Sequence, residues 1–129
     1  MCPLIPALAA VILALAASPA ASQSLSPMER VGVTPSDTKG FKLLVGNPYS
    51  QRMTFSVVPM DPEFTTPIEG AVVKPARVTL APGRGRSVIV AFKIDPSQKE
   101  RTIGVCIMPE NFEGPVLPRV CGRYTGRMQ

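Results

Sequence analysis

The chain has 129 residues, room for about one domain, and its charged share of 18% with 45% hydrophobic residues excludes a disordered chain. Fifteen prolines and ten glycines, with five Phe, two Tyr and no Trp, suit short strands and many turns better than a helical bundle. There is no histidine, which removes the commonest general base and the commonest metal ligand together.

Residues 8–17 (LAAVILALAA) form an uncharged apolar run followed by Ser18-Pro19-Ala20-Ala21-Ser22. The run is too short to span a bilayer, which takes about 20 residues. Small residues at Ala20 and Ser22 suit a cleavage site, so residues 1–22 are expected to be a secretory signal peptide and 23–129 the mature domain. No stable membrane insertion is expected after cleavage, and the location is expected to be periplasmic or secreted. The discarded segment carries no charged residue, so the net charge of +5 belongs to the mature part. Cleavage also removes Cys2 and leaves Cys106 and Cys121, read as one disulfide in an exported chain. Two thiolates without histidine do not complete a zinc tetrahedron, and no cofactor is expected.

Residues 23–28, short, polar and interrupted by Pro27, read as a frayed leader. Beyond them the apolar period is two. Strands are expected over residues 30–34, 41–46, 52–57, 71–73, 77–80, 87–92, 101–108 and 117–124. In the third of these Met53, Phe55 and Val57 share one face. Val88, Val90 and Phe92 repeat the pattern, and Ile89 and Ala91 suggest that this strand is covered on both sides. Turn chemistry separates the strands at Asn47-Pro48-Tyr49-Ser50, Ala81-Pro82-Gly83-Arg84-Gly85, Asp95-Pro96-Ser97 and Glu113-Gly114-Pro115. Residues 59–70, with three prolines, form the long irregular connection. About seven short strands at this spacing indicate an all-β, immunoglobulin-like β-sandwich with one disulfide. A terminal hairpin that pairs Cys106 with Cys121 sets Ile107 opposite Val120 and Ile103 opposite Tyr124. It centres the turn between Glu113 and Gly114 and sorts the core face from the solvent face.

Without histidine, Ser-His-Asp and Cys-His catalysis are excluded, and no phosphate-loop or dinucleotide motif is present. The chain is not expected to be an enzyme. Asp61 and Glu63 read as solvated turn residues. Gly83-Arg84-Gly85-Arg86 reads as a hairpin turn rather than an anion nest. Arginines recur at Arg84, Arg86, Arg119, Arg123 and Arg127, but the few aromatics leave little to stack on bases, so nucleic acid is not expected as a partner.

Residues 73–92 (VKPARVTLAPGRGRSVIVAF) resemble the proline, short strand, L-x-P-G turn and apolar strand in the first immunoglobulin-like domain of periplasmic pilus-assembly chaperones. Glu100-Arg101-Thr102 is similar to that family's triplet opening the sixth strand. Arg30-Val31-Gly32-Val33 and Lys42-Leu43-Leu44-Val45-Gly46-Asn47 resemble its first two strands in spacing. The resemblance spans about residues 29–124. It implies a protein client, a pilus subunit or usher-type assembly machinery, bound by strand addition at an exposed edge. It also implies that Arg30 and Arg119 clamp the client's terminal carboxylate, with Leu117 and Val120 on the edge strand. The function expected is that of a chaperone-like or accessory factor in surface-fibre assembly. The alternative is a structural component of the envelope or of a fibre, without chaperone activity.

Overall fold

A computed structural model describes residues 24–110, 112, 114, 115 and 117–129, so the expected signal peptide lies outside the described residues. Nine strands follow in chain order: β1 (Ser24–Ser26), β2 (Glu29–Thr34), β3 (Thr38–Gly46), β4 (Met53–Met60), β5 (Ala71–Lys74), β6 (Arg77–Leu80), β7 (Gly85–Lys93), β8 (Glu100–Pro109) and β9 (Val120–Met128). They form two sheets, ordered β1-β3-β7-β5 and β2-β9-β8-β4-β6. Two such sheets packed face to face make the expected immunoglobulin-like sandwich.

The period-two pattern acts as expected in the interior. Met53, Phe55 and Val57 of β4 are buried, as are Phe41, Leu43 and Val45 of β3, Val88, Val90 and Phe92 of β7, and Ile103, Val105 and Ile107 of β8. Facing rows of aliphatic and aromatic side chains fill the space between the sheets, and this burial is the main stabilising term. Phe41 joins Phe92 and Tyr124 at one end of the core, with ring centroids 6.1 and 5.8 Å apart.

Asn47 is a buried polar group with all its duties met. Its side-chain amide donates to the carbonyls of Gln51 and Leu80, at 2.9 and 2.8 Å, and its Oδ1 accepts from the Tyr49 amide. The β3–β4 turn is thereby tied to the end of β6. The turn before β7 behaves as the hairpin reading expects, with Gly83 at φ +72°. Its amides are already used: Gly83 donates to Asn47 O and Arg84 to Ala81 O.

Three expectations are corrected. Residues 24–26 are no leader, because they pair with Leu44–Gly46 of β3 and bury Leu25 at 3% exposure. A three-residue strand with one apolar side chain has no periodicity to read. After Pro27 the chain crosses to the other sheet, where β2 runs parallel to β9. The second face of β7 is not covered, since Ile89 is 54% exposed. Residues 59 and 60 belong to β4 rather than to the irregular connection, and Met60 is buried in the sheet's pairing with Gly104.

The rest of that connection is well organised. Asp61 accepts from the amides of Thr65 and Thr66 at 2.7 and 2.6 Å and from the Thr65 hydroxyl at 2.9 Å. The backbone N–H of Thr66, aided by the Thr65 hydroxyl and the amides of Thr65 and Glu63, holds its carboxyl well below the usual carboxylate range. The loop lies on the outer face of β8 and β9. A Cβ at Gly104 would come within 2.6 Å of both Asp61 O and a Phe64 ring carbon, so only glycine allows this approach.

Candidate functional site

The region where β2, β9 and the entry to β9 meet carries the four binding residues expected from the sequence. The β8–β9 register is the one derived above: Cys106 opposite Cys121, Ile107 opposite Val120 and Ile103 opposite Tyr124. The disulfide Cys106–Cys121 is formed directly across this pair. Among the described residues no group of three or more His, Cys, Asp or Glu is placed to hold a metal, and no helix is long and apolar enough to cross a membrane.

β9 is not an edge along its whole length. From Glu29 opposite Arg123 to Thr34 opposite Met128 it is covered by β2, leaving β2 and β6 as the edges of this sheet. Ahead of Arg123, Val120–Gly122 pair with β8 on one side and lie beyond the end of the β2 ladder on the other. Leu117, 53% exposed, and Arg119 lead into this stretch, and Val120 packs partly against the core. The open strand edge is thus the short stretch Val120–Gly122. Its far end is fixed by a close approach: a Cβ on Gly122 would stand 2.6 Å from Met28 O and within contact of the Tyr124 hydroxyl. That hydroxyl donates to Pro27 O, and burial pushes it up to about 12. The bond joins β9 to the crossing between β1 and β2. Beside it, Met28, Glu29, Phe64, Cys121, Gly122 and Arg123 line a depression of about 190 Å³.

The register does not bring Arg30 and Arg119 together. Arg30 is level with Tyr124, whereas Arg119 precedes the start of β9 at Val120, itself about 13 Å of strand away at roughly 3.3 Å per residue. Arg30, level with the buried Tyr124, turns toward the sandwich mouth. Its guanidinium lies 6.0 Å from the centre of the Phe41 ring. The cation that does share its surroundings is Lys39, whose ammonium lies 5.0 Å from the same ring. The Lys39 stem runs between Gly32 and Gly126, where added Cβ atoms would meet it at 2.7 and 2.9 Å. Sequence reasoning missed Lys39. Its signal was two glycines inside strands, which mark close approach of another group.

The remaining arginines of β9 are engaged. Arg123 Nε donates to Pro62 O at 2.7 Å, and its guanidinium stands 5.0 Å from the Phe64 ring centre. Arg127 pairs with Glu100 at 3.4 Å, an exposed contact of little energetic weight. Arg30 and Arg119 form no ion pair among the described residues. The arrangement offers an open strand edge over Val120–Gly122, with two cations beyond it, Arg30 on the neighbouring β2 and Lys39 on β3 of the facing sheet.

No protein-family model matches the chain, and no curated protein matches it. Solved structures do. A chain from the Salmonella enterica SafA pilin–SafB chaperone complex superimposes with a TM-score of 0.64 at 18% identity, covering 84% of this chain and 55% of that one. The Escherichia coli chaperone DraB gives 0.67 at 17% identity, over 83% of this chain and 55% of its own. The chain thus spans about half the length of these chaperone chains. A PapD-like domain of human CEP192 gives 0.61 at 10% identity and is covered over 86% of its length. At such identities the likeness establishes the fold, a PapD-like immunoglobulin sandwich shared with periplasmic pilus chaperones.

Proposed function

We propose that the chain is an exported, chaperone-like factor that binds a protein client, such as a subunit of a surface fibre, by adding the client's strand to the open stretch Val120–Gly122 of β9. The observation that carries this reading is the end of the β2–β9 ladder at Glu29 and Arg123, which leaves Val120–Gly122 of β9 laddered with β8 alone. Leu117 and Val120 supply apolar contacts there. Arg119 contributes a charge just ahead of β9, and Arg30, with Lys39 beside it, receives a carboxylate at the sandwich mouth. The two arginines act at separate points of the client rather than as one fork. The periplasm is the compartment that suits the disulfide and the fold relatives. No enzymatic step is assigned.

The test is affinity for a terminal-strand peptide of a candidate fibre subunit, with its C-terminus free or amidated. Arg30→Ala is expected to weaken the free-acid peptide by ~30-fold, which corresponds to about 2 kcal/mol. Amidation reproduces the loss in the unmodified protein and adds nothing in the variant. Equal affinities for both peptides would remove the carboxylate from the reading.

The alternative, a structural component of the envelope, is favoured by one observation: a disulfide fastens the very hairpin that a chaperone would use. In that case the protein remains with the assembled fibre through purification, whereas a chaperone is released from it.

A further inference from the structure

Charge is divided unequally between the two sheets. The strands β1, β3, β5 and β7 contain Lys39, Lys42, Lys74, Arg86 and Lys93 and no Asp or Glu. Three of these lysines lie on the outward-facing side. Lys42 and Lys74 both pair with Ile89, one from each neighbouring strand, so that an exposed isoleucine has a lysine on either side. In the next row Ala91 stands between Gly40 and Val72, and beyond it Lys93 pairs with Thr38. Leu44, Val72 and Ile89 are 50%, 54% and 54% exposed. Among the described residues Lys42, Lys74 and Lys93 form no ion pair.

This face has relief as well as charge. With no side chain at Gly40 and a methyl at Ala91, the surface dips beside Val72 into a depression of about 240 Å³, bounded by Thr38, Gly70, Phe92 and Lys93. An apolar side chain fits such a dip, and the surrounding ammonium groups favour carboxylates on either side of it. A second copy of this chain fits poorly, because the same three lysines would face their counterparts. A lipid surface is the weaker match too, since the outward positions of these strands carry no aromatic residue.

We propose that the outer face of the β1-β3-β7-β5 sheet is a second docking surface, for a protein segment that presents an apolar side chain between carboxylates. It lies on the sheet opposite the open edge of β9, so the chain can hold two protein partners at once, and the proposal stands apart from client binding.

The test is a titration of the isotopically labelled protein, followed by amide chemical shifts. The probe is an N-acetylated, C-amidated peptide of sequence GSEDLEDGS, which has no terminal carboxylate for Arg30. Shifts are expected at Lys42, Val72, Ile89, Ala91 and Lys93, and added salt should weaken them. Lys42→Glu combined with Lys74→Glu is expected to lower affinity by ~10-fold or more. Ile89→Ser, at an exposed position that leaves the fold intact, is expected to lower it less, and replacing the peptide's Leu by Ser should match that loss. The proposal is overturned by shifts that map elsewhere, by equal binding of a GSKKLKKGS peptide, or by an unchanged affinity in the charge-reversed variant. Binding only to phosphatidylcholine vesicles containing about one quarter phosphatidylglycerol would overturn it in favour of a membrane surface.

Discussion

Opening the Cys106–Cys121 bridge should weaken both the fold and the open edge. The cysteines are 15 residues apart and face one another across β8 and β9. Closing a loop of that size removes denatured-state entropy equivalent to roughly 3 kcal/mol. In a domain of this size each kcal/mol moves the thermal midpoint by about 4–8 °C. Reduction should therefore lower the midpoint by about 12–24 °C, a change read from circular dichroism melts with and without reductant. Reduction is a cleaner perturbation than Cys106→Ala, because Cys106 is fully buried and truncation would add a cavity. Local stability should respond unevenly. Val120–Gly122 have β8 as a ladder partner but not β2, so their amides should gain the most hydrogen exchange, while those of β4 follow only the global change. A midpoint shift below about 4 °C would refute the entropic reasoning. Two free thiols in protein isolated from an oxidising compartment would refute the bridge.

Gly104→Ala should destabilise by about 1–3 kcal/mol, since its Cβ meets Asp61 O and the Phe64 ring; an unchanged melting temperature would mean the loop is not docked on β8. Tyr124→Phe should cost about 1–2 kcal/mol by leaving Pro27 O without its donor. The raised Tyr124 pKa makes its contribution complete below pH 10.0 and lost as pH rises through about 12, so the Phe variant should show a flatter alkaline limb. Asp61 has the opposite sign: its depressed pKa gives stability present above the ordinary carboxylate value of 3.8 and lost as pH falls through the folded one. A titration of its carboxyl by NMR with a midpoint at or above 3.8 would contradict the Thr65 and Thr66 hydrogen bonds.

The terminal hairpin was legible because two independent signals coincide in it. The cysteines fix one pair, and the alternation of Ile103, Val105 and Ile107 fixes the buried face, so a slip of one residue would expose every core side chain. The strand core of β4 and β7 was readable for the same reason. What could not be read was long-range. β2 lies parallel to β9, and nothing local in Arg30–Val33 specifies which residue of β9 it will face. The resemblance implied a clamp from Arg30 and Arg119, whereas the register sets Arg30 level with Tyr124, five residues beyond Arg119. Lys39 escaped notice because its neighbours Gly32, Phe41 and Gly126 come from three different strands. The exposure of Ile89 was misread because its apolar character matches a buried face as well as a docking face.

Client binding at the open segment of β9 is the central claim, and hydrogen exchange of the full chain with and without a fibre-subunit peptide tests it most directly. Strand addition is expected to slow exchange over Val120–Gly122 while leaving the β2-covered stretch Arg123–Met128 nearly unchanged. Protection confined to the β6 or β5 edges, or none at Val120–Gly122 under saturating peptide, would contradict it.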